Sequence, residues 1–135
     1  MKLTLSWAAP GGIIFPCCSA DSVNSDGLSL LPYLLMDNGG LGYPHTIPWI
    51  DEGIAKVDAV LNGELAEALW DREDWGSRLT EAGVEIYSLH DEDYTELIDL
   101  PAFRRALLAW RQFMLSAPDT NIMQILEILD EPPET

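Results

Sequence analysis

The stretch GVEIYSLHDEDYTELIDLPAFRRALLAWRQFMLS, residues 83–116, carries both of the periodicities from which the fold class follows. From Val84 to Leu89, Val84, Ile86 and Ser88 face one way and Glu85, Tyr87 and Leu89 the other, the period-two alternation of a β-strand. Over 101–116 the spacing changes to threes and fours. Phe103, Ala106, Leu107, Trp110, Phe113 and Met114 then form one unbroken helical face, Arg104, Arg105 and Arg111 lie off it, and Pro101 suits the first turn. A strand and an amphipathic helix in one short span each need another element to cover their apolar side.

The rest of the chain supplies those elements. Upstream, Leu65, Leu69, Trp75 and Leu79 predict a helical stretch, interrupted near Asp71, that runs to Gly83 as its C-terminal cap. Ile50, Ile54, Val57 and Leu61 recur at 4, 3 and 4, a helical stripe opposed by Asp51, Glu52, Lys56 and Asp58 and ended by Asn62-Gly63. Leu3, Leu5 and Trp7 alternate with Thr4 and Ser6 as a half-buried strand; Pro10-Gly11-Gly12 turns the chain, and Ile13 to Cys18 returns as a hairpin partner. Between Asp21 and His45 the chain is rich in Ser, Asn, Gly and Pro, with room for a short helix opened by Pro32 that uses Leu28, Leu31, Leu34 and Leu35. Ile122 to Leu129 fits a helix by spacing and a strand by its isoleucines. The expected class is α+β, a small mostly antiparallel sheet with helices packed on one face.

Length fits a single domain over 1–135, able to bury about two thirds of its unfolded surface. Residues 1–50 are strand- and loop-rich and near neutral, 51–99 an acidic helix-strand segment, 100–130 an apolar helix and a terminal element, and 131–135 a frayed tail. Net charge is −16, distributed unevenly: residues 51–99 hold fifteen Asp and Glu against Lys56, Arg72 and Arg78, a balance of −12. Such a field selects a basic protein partner and repels nucleic acid and anionic membrane. Leu3 to Ala20 is uncharged, but Pro10, Gly11 and Gly12 cut its apolar core too short for a signal peptide or a span, and a cytoplasmic location is expected. Cys17 and Cys18 are adjacent, so on a strand they point to opposite faces and a disulfide between them is geometrically poor; both read as reduced thiols.

No catalytic pattern stands out. Gly39-Gly40-Leu41-Gly42 lacks the spacing of a nucleotide-binding loop and reads as a turn. His45 and His90 are the only histidines; His90 beside Asp91 and Asp93 lacks the framework of a metal site, and no metal or other cofactor is expected. No Ser or Cys sits in a nucleophile elbow. Twenty-three acids always supply some pair at the separation that glycosidic chemistry needs, so that pattern carries little information.

Two acidic clusters remain, each built around aromatic residues. Asp71, Glu73 and Asp74 adjoin Trp70 and Trp75; Asp91, Glu92, Asp93, Glu96 and Asp99 surround Tyr94. A solvated face, with Asp91 capping a short helix, accounts for any one of these residues. The concentration is less easily explained, because like charges repel and cost stability. Asp71, Glu73, Asp74, Trp75, Asp91, Glu92, Asp93, Tyr94 and Glu96 are therefore the candidate partner-binding residues, with aromatic anchors inside a charged rim.

The run Trp75, Gly83-Val84-Glu85-Ile86-Tyr87-Ser88, Asp91, Tyr94, Phe103, Ala106, Trp110 and Phe113 resembles the small acidic immunity proteins of bacterial toxin and contact-dependent inhibition systems, over about residues 50 to 116. The resemblance lies in size, charge and element order. It implies a non-catalytic protein that binds and neutralises a cognate basic toxin domain, often a nuclease. Rival expectations are an acidic secretion chaperone for a basic effector, dimerising through the helix at 101–116; a phage DNA-mimic anti-defence protein, with acids spaced along an elongated body; and a small enzyme, which needs a pocket holding a perturbed carboxylate.

Overall fold

The computed structural model describes residues 1–39, 42–91 and 93–128. Seven strands and three α-helices follow one another as β1 (Lys2–Ala8), β2 (Phe15–Ala20), α1 (Leu31–Met36), α2 (Ile47–Leu61), β3 (Glu67–Asp71), β4 (Trp75–Thr80), β5 (Gly83–Ser88), β6 (Thr95–Ile98), α3 (Leu100–Leu115) and β7 (Met123–Glu127). The fold is α+β, as expected, and its strands divide into two antiparallel sheets, one ordered β2-β1-β7 and the other the meander β3-β4-β5-β6. Because α1 touches β2 and β4, and α3 touches β1 and β5, both helices bridge the sheets.

Local chemistry explains the first sheet. Leu3, Leu5 and Trp7 turn inward from β1, and the register Leu5↔Cys18 and Trp7↔Pro16 brings Cys18 and Pro16 to the same inner face. Pro16 has no N–H to give a ladder, which an edge strand such as β2 tolerates. Cys18 faces the core, where burial pushes its thiol pKa up, and Cys17 faces outward; both are free. The ambiguous segment near 122–129 is a strand over Met123–Glu127, paired with β1. Its tail at 131–135 lies outside the described residues.

The expected helix from Leu65 to Gly83 is instead the β3–β4 hairpin and the turn into β5. Ala68 and Trp70 point inward while Glu67, Leu69 and Asp71 point out, and Ser77 and Leu79 repeat the pattern on β4. Leu65 and Leu69, two members of the supposed helical stripe, are exposed. Gly83 opens β5 rather than capping a helix; at φ 141° it accommodates a backbone conformation that side chains disfavour, and a Cβ there would meet Ile98 O at 3.0 Å.

The helices are those the spacing predicts. Asp99 caps α3, its carboxylate accepting from Ala102 N at 3.0 Å, with Pro101 in the first turn. Phe103, Ala106, Leu107, Trp110, Phe113 and Met114 are all buried. α2 runs antiparallel to α3, and the ion pairs Asp58–Arg104 (2.7 Å) and Asp51–Arg111 strap the two together seven residues apart on each helix. The hydrogen bond from Arg104 to Asp58 holds the guanidinium pKa above its ordinary value.

Trp70 joins α2 to the second sheet. Its ring stacks on Trp49 with centroids 4.0 Å apart and meets Phe103 edge-on, its Nε1 donates to Trp49 O at 3.0 Å, and Trp49 Nε1 donates to Asp71 O at 2.8 Å. Gly53 makes the approach possible: a Cβ there would lie 2.5 Å from Trp70 Cε2. Gly53→Ala should therefore destabilise the protein by about 1 to 3 kcal/mol through overpacking, even though alanine ordinarily gains about 1 kcal/mol over glycine inside a helix. Trp110→Ala, which removes a buried ring stacked on Phe113 and its bond to Leu35 O, should cost about 3 to 5 kcal/mol. Denaturant midpoints of the two variants check both values, and a rise in stability for Gly53→Ala would contradict the packing described.

Candidate functional site

A four-stranded antiparallel meander places alternate turns at the same end. The β3–β4 turn (72–74) and the β5–β6 turn (89–94) thus share one end of the second sheet, and the Glu81-Ala82 turn lies at the other. The two acidic clusters, separate in sequence, are brought together by this topology. Leu89 N donates to Asp74 O at 2.9 Å and His90 Nε2 lies 2.8 Å from Asp74 Oδ1, so the two turns are in direct contact.

Asp37, the residue that ends α1, organises the first of these turns. Its Oδ2 accepts from three successive backbone N–H groups, Glu73 at 3.2 Å, Asp74 at 2.9 Å and Trp75 at 3.2 Å, and its Oδ1 accepts from Gly39 N. Three converging amides form an anion-binding concavity, here filled by a carboxylate of the protein itself. Arg72 is held against the segment that follows α1, donating to Asn38 O at 3.1 Å and lying 5.1 Å over the Trp49 ring. With Arg72 occupied there, the side chains of Glu73 and Asp74 project outward, and both are exposed.

Trp75 is half-buried and stacks on Tyr33 of α1, centroids 5.3 Å apart and planes within 12°. Tyr33, at 54% exposure, presents the outer face of the pair. Tyr33, Asp37, Glu73, Asp74 and Trp75 line one shallow cleft of about 400 Å³. Asp71, Asp91, Asp93 and Tyr94 are exposed nearby on the same turns or the strand ends that carry them. Asp91 caps no helix: its Oδ1 accepts from Asp93 N and its carbonyl from Tyr94 N, an Asx turn. Glu92 lies outside the described residues.

Glu96 does not belong to this surface. It is 2% exposed, and its carboxylate accepts from Leu30 N at 2.7 Å and Ser22 Oγ at 3.1 Å, which ties the loop before α1 to β6. On a four-residue strand with an exposed, buried, exposed, buried pattern, position 96 points inward whatever its charge. Sequence reasoning missed Tyr33 and Asp37. Tyr33 was open to inference as the residue off the Leu31, Leu34, Leu35 face; nothing local marks Asp37, whose partners lie 36 to 38 residues away.

Much of the remaining acidity is matched inside the molecule. Asp51, Asp58, Glu52 and Glu67 pair with Arg111, Arg104, Lys56 and Arg78, while Glu96 and Asp99 accept backbone N–H groups. Of the others among the described residues of 51–99, Glu64, Asp71, Glu73, Glu81, Glu85, Asp91 and Asp93 have no cationic partner, and four of these seven, Asp71, Glu73, Asp91 and Asp93, lie at the shared end. Among the described residues, too, no group of three or more His, Cys, Asp or Glu is placed to hold a metal ion, and no helix is long and apolar enough to cross a membrane. No family model, curated protein or solved structure matches the chain.

The two buried roles of carboxylates separate experimentally. Glu96→Ala should cost about 1.5 to 3 kcal/mol of stability, since it strands Leu30 N away from water. Asp37→Ala should cost less, because its donors lie near the surface, but it should speed amide exchange at Glu73, Asp74 and Trp75 selectively. Exchange at these three amides that matches the wild type would show that Asp37 does not organise the turn.

Proposed function

We propose that this chain is a non-catalytic inhibitor, an immunity protein that covers the basic surface of a cognate bacterial toxin with the acidic end of its four-stranded sheet. The observation that carries this reading is the meeting of two acidic turns, in which, among the described residues, only Asp74 has a basic partner, His90, beside the stack of exposed Tyr33 on half-buried Trp75. Carboxylates at that end attract lysine and arginine and stand where a nuclease would hold phosphates. The aromatic pair supplies buried area and a π face for a guanidinium. Hydrogen bonds from the turn backbone to Asp37 fix the acids before association, which lowers the ordering cost of binding.

The chaperone reading needs the apolar face of α3 as a dimer surface, and that face is buried within this chain. The acids gathered at one end also favour a compact basic patch on the partner over an extended phosphate-like track.

Replacing Asp71, Glu73 and Asp74 with Asn, Gln and Asn should leave the melting temperature unchanged or slightly raised. Association with the cognate basic toxin domain should slow by about tenfold or more and lose much of its salt dependence. Tyr33→Ala should act mainly on dissociation. Full protection of cells by the triple variant at wild-type abundance, with unaltered association rates, would exclude the acidic end as the interface.

A further inference from the structure

We infer that β7 is a self-association strand: two copies of this chain pair antiparallel along its outer edge, with a two-fold axis at Ile125, to make one continuous sheet of order β2-β1-β7-β7-β1-β2.

The ladders show which backbone groups each edge strand turns outward. On β7, Ile128 N donates to Met1 O at 2.7 Å and Met1 N to Ile128 O at 2.8 Å, so with the register Leu3↔Leu126 and Leu5↔Gln124 the even-numbered residues bond to β1. Met123, Ile125 and Glu127 therefore aim their N–H and C=O groups away from the sheet. The same alternation applied to the other three edges finds partners for them inside the molecule. On β2, Pro16 has no N–H and Cys18 N donates to Met36 Sδ of α1 at 3.4 Å. On β3, Leu69 O accepts from Lys56 Nζ at 2.6 Å and Asp71 O from Trp49 Nε1 at 2.8 Å. On β6, Thr95 O accepts from Asn24 Nδ2 at 2.8 Å. Among the described residues, none bonds to the outward groups of β7. Its side chains also lack the usual guards of an edge. Ile122 to Leu126 holds no charge and no proline, and Met123 and Ile125 are 65% and 58% exposed.

Charge and geometry both point to a second copy as the occupant. A chain of net charge −16 can approach itself only where its field is weak, and the first sheet is that region: residues 1–20 carry Lys2 alone and residues 115–127 carry Asp119 and Glu127. Glu127 itself lies opposite Lys2 in the β1–β7 register. A basic partner has no electrostatic reason to choose this edge over the acidic end. Ile125 is the middle residue of the five in β7, so a two-fold axis there sets Ile125 against Ile125 of the second copy and Met123 against its Glu127. These are the residues whose backbone groups already point outward, so the strands can bond without rearrangement, and the Met123 and Ile125 side chains of both copies share one face. The combined sheet ends at both sides on β2, where Pro16 and the bond from Cys18 to Met36 oppose further pairing. Assembly therefore closes at two.

Sedimentation equilibrium of the full chain tests the pairing. Strands this short make a small interface, so a reversible monomer–dimer equilibrium with a Kd of about 10 to 100 μM is expected. Ile125→Glu sets two carboxylates opposite each other across the axis, and Met123→Glu sets one opposite Glu127 of the second copy; each should raise the Kd by about tenfold or more. Both sites are exposed, so melting of the dilute variants should match the wild type. Leu97→Glu, at an exposed apolar site on β6, should leave the Kd unchanged. As concentration rises, amide exchange should slow at Met123, Ile125 and Glu127, while Gln124 and Leu126, bonded to β1, stay protected throughout. A monomer at every concentration up to about tenfold above that Kd range, a dimer that survives both β7 variants, a dimer lost equally in Leu97→Glu, or a dimer whose outward β7 amides exchange freely would each overturn the inference. Protection of those three amides that does not vary with concentration would overturn it too, by showing the edge covered within one chain.

Discussion

The contact between Gly53 and the Trp70 ring is the constraint around which the structure is built. A fully buried tryptophan on β3 needs a large opening in whatever packs over it, and the missing side chain at Gly53 provides that opening on α2. Once the ring is seated, its neighbours follow. Trp49 stacks on it, Phe103 meets its edge, and Ser77 Oγ donates to the Trp70 carbonyl at 2.8 Å, so that α2, α3, β3 and β4 all converge on one side chain. Lys56 Nζ adds a bond to Leu69 O one turn further along α2. The orientation of β3 relative to α2 is thereby fixed at two points of its backbone, Leu69 O and Asp71 O, as well as by the Trp70 ring, and the rest of the meander extends from it strand by strand.

That extension determines where charge can collect. A hairpin carries its turn at one end, and in a four-stranded meander the first and third turns must coincide. The acidic residues need no mutual attraction to meet there; backbone pairing brings them together against their repulsion. Two local devices limit the cost. Asp37 is satisfied by three amides instead of facing solvent beside its neighbours, and His90 sits against Asp74. Elsewhere in the acidic third, the arginines of α3 are matched to Asp51 and Asp58 on α2, pairs that are only half-exposed and that set helix register more than they add stability.

What was legible in the sequence follows the range of the interactions involved. The α3 face, the α2 stripe with its Asn62-Gly63 end and the β1–β2 hairpin depend on neighbours within a few residues, and their patterns were readable. The β3–β4 hairpin was misread because Leu65 and Leu69, though apolar, face solvent, while the true alternation passes through Ala68 and Ser77, two small residues with weak hydropathy. Trp70 was the residue that settled the matter, and its burial depends on a glycine seventeen positions earlier. The composition of the candidate site was visible as two acidic clusters with aromatics. Its assembly was not, since Tyr33 and Asp37 come from α1, and the inward turn of Glu96 depends on the pairing register of β6 with β5.

The two flanks of α1 face surroundings of different chemistry. On one side Tyr33 and Asp37 face the acidic turns; on the other Leu35 and Met36 face Trp110 and Met114. A helix of six residues has no room for a polar face in the ordinary sense, so its flanks serve opposite environments and its position is held from both. The hydrogen bond from Trp110 Nε1 to Leu35 O fixes the apolar flank to α3, and the bonds from the β3–β4 turn to Asp37 fix the C-terminal end to the second sheet. A change in how α3 packs at Trp110 would therefore reach the acidic turn through only two residues of backbone, Leu35 to Asp37.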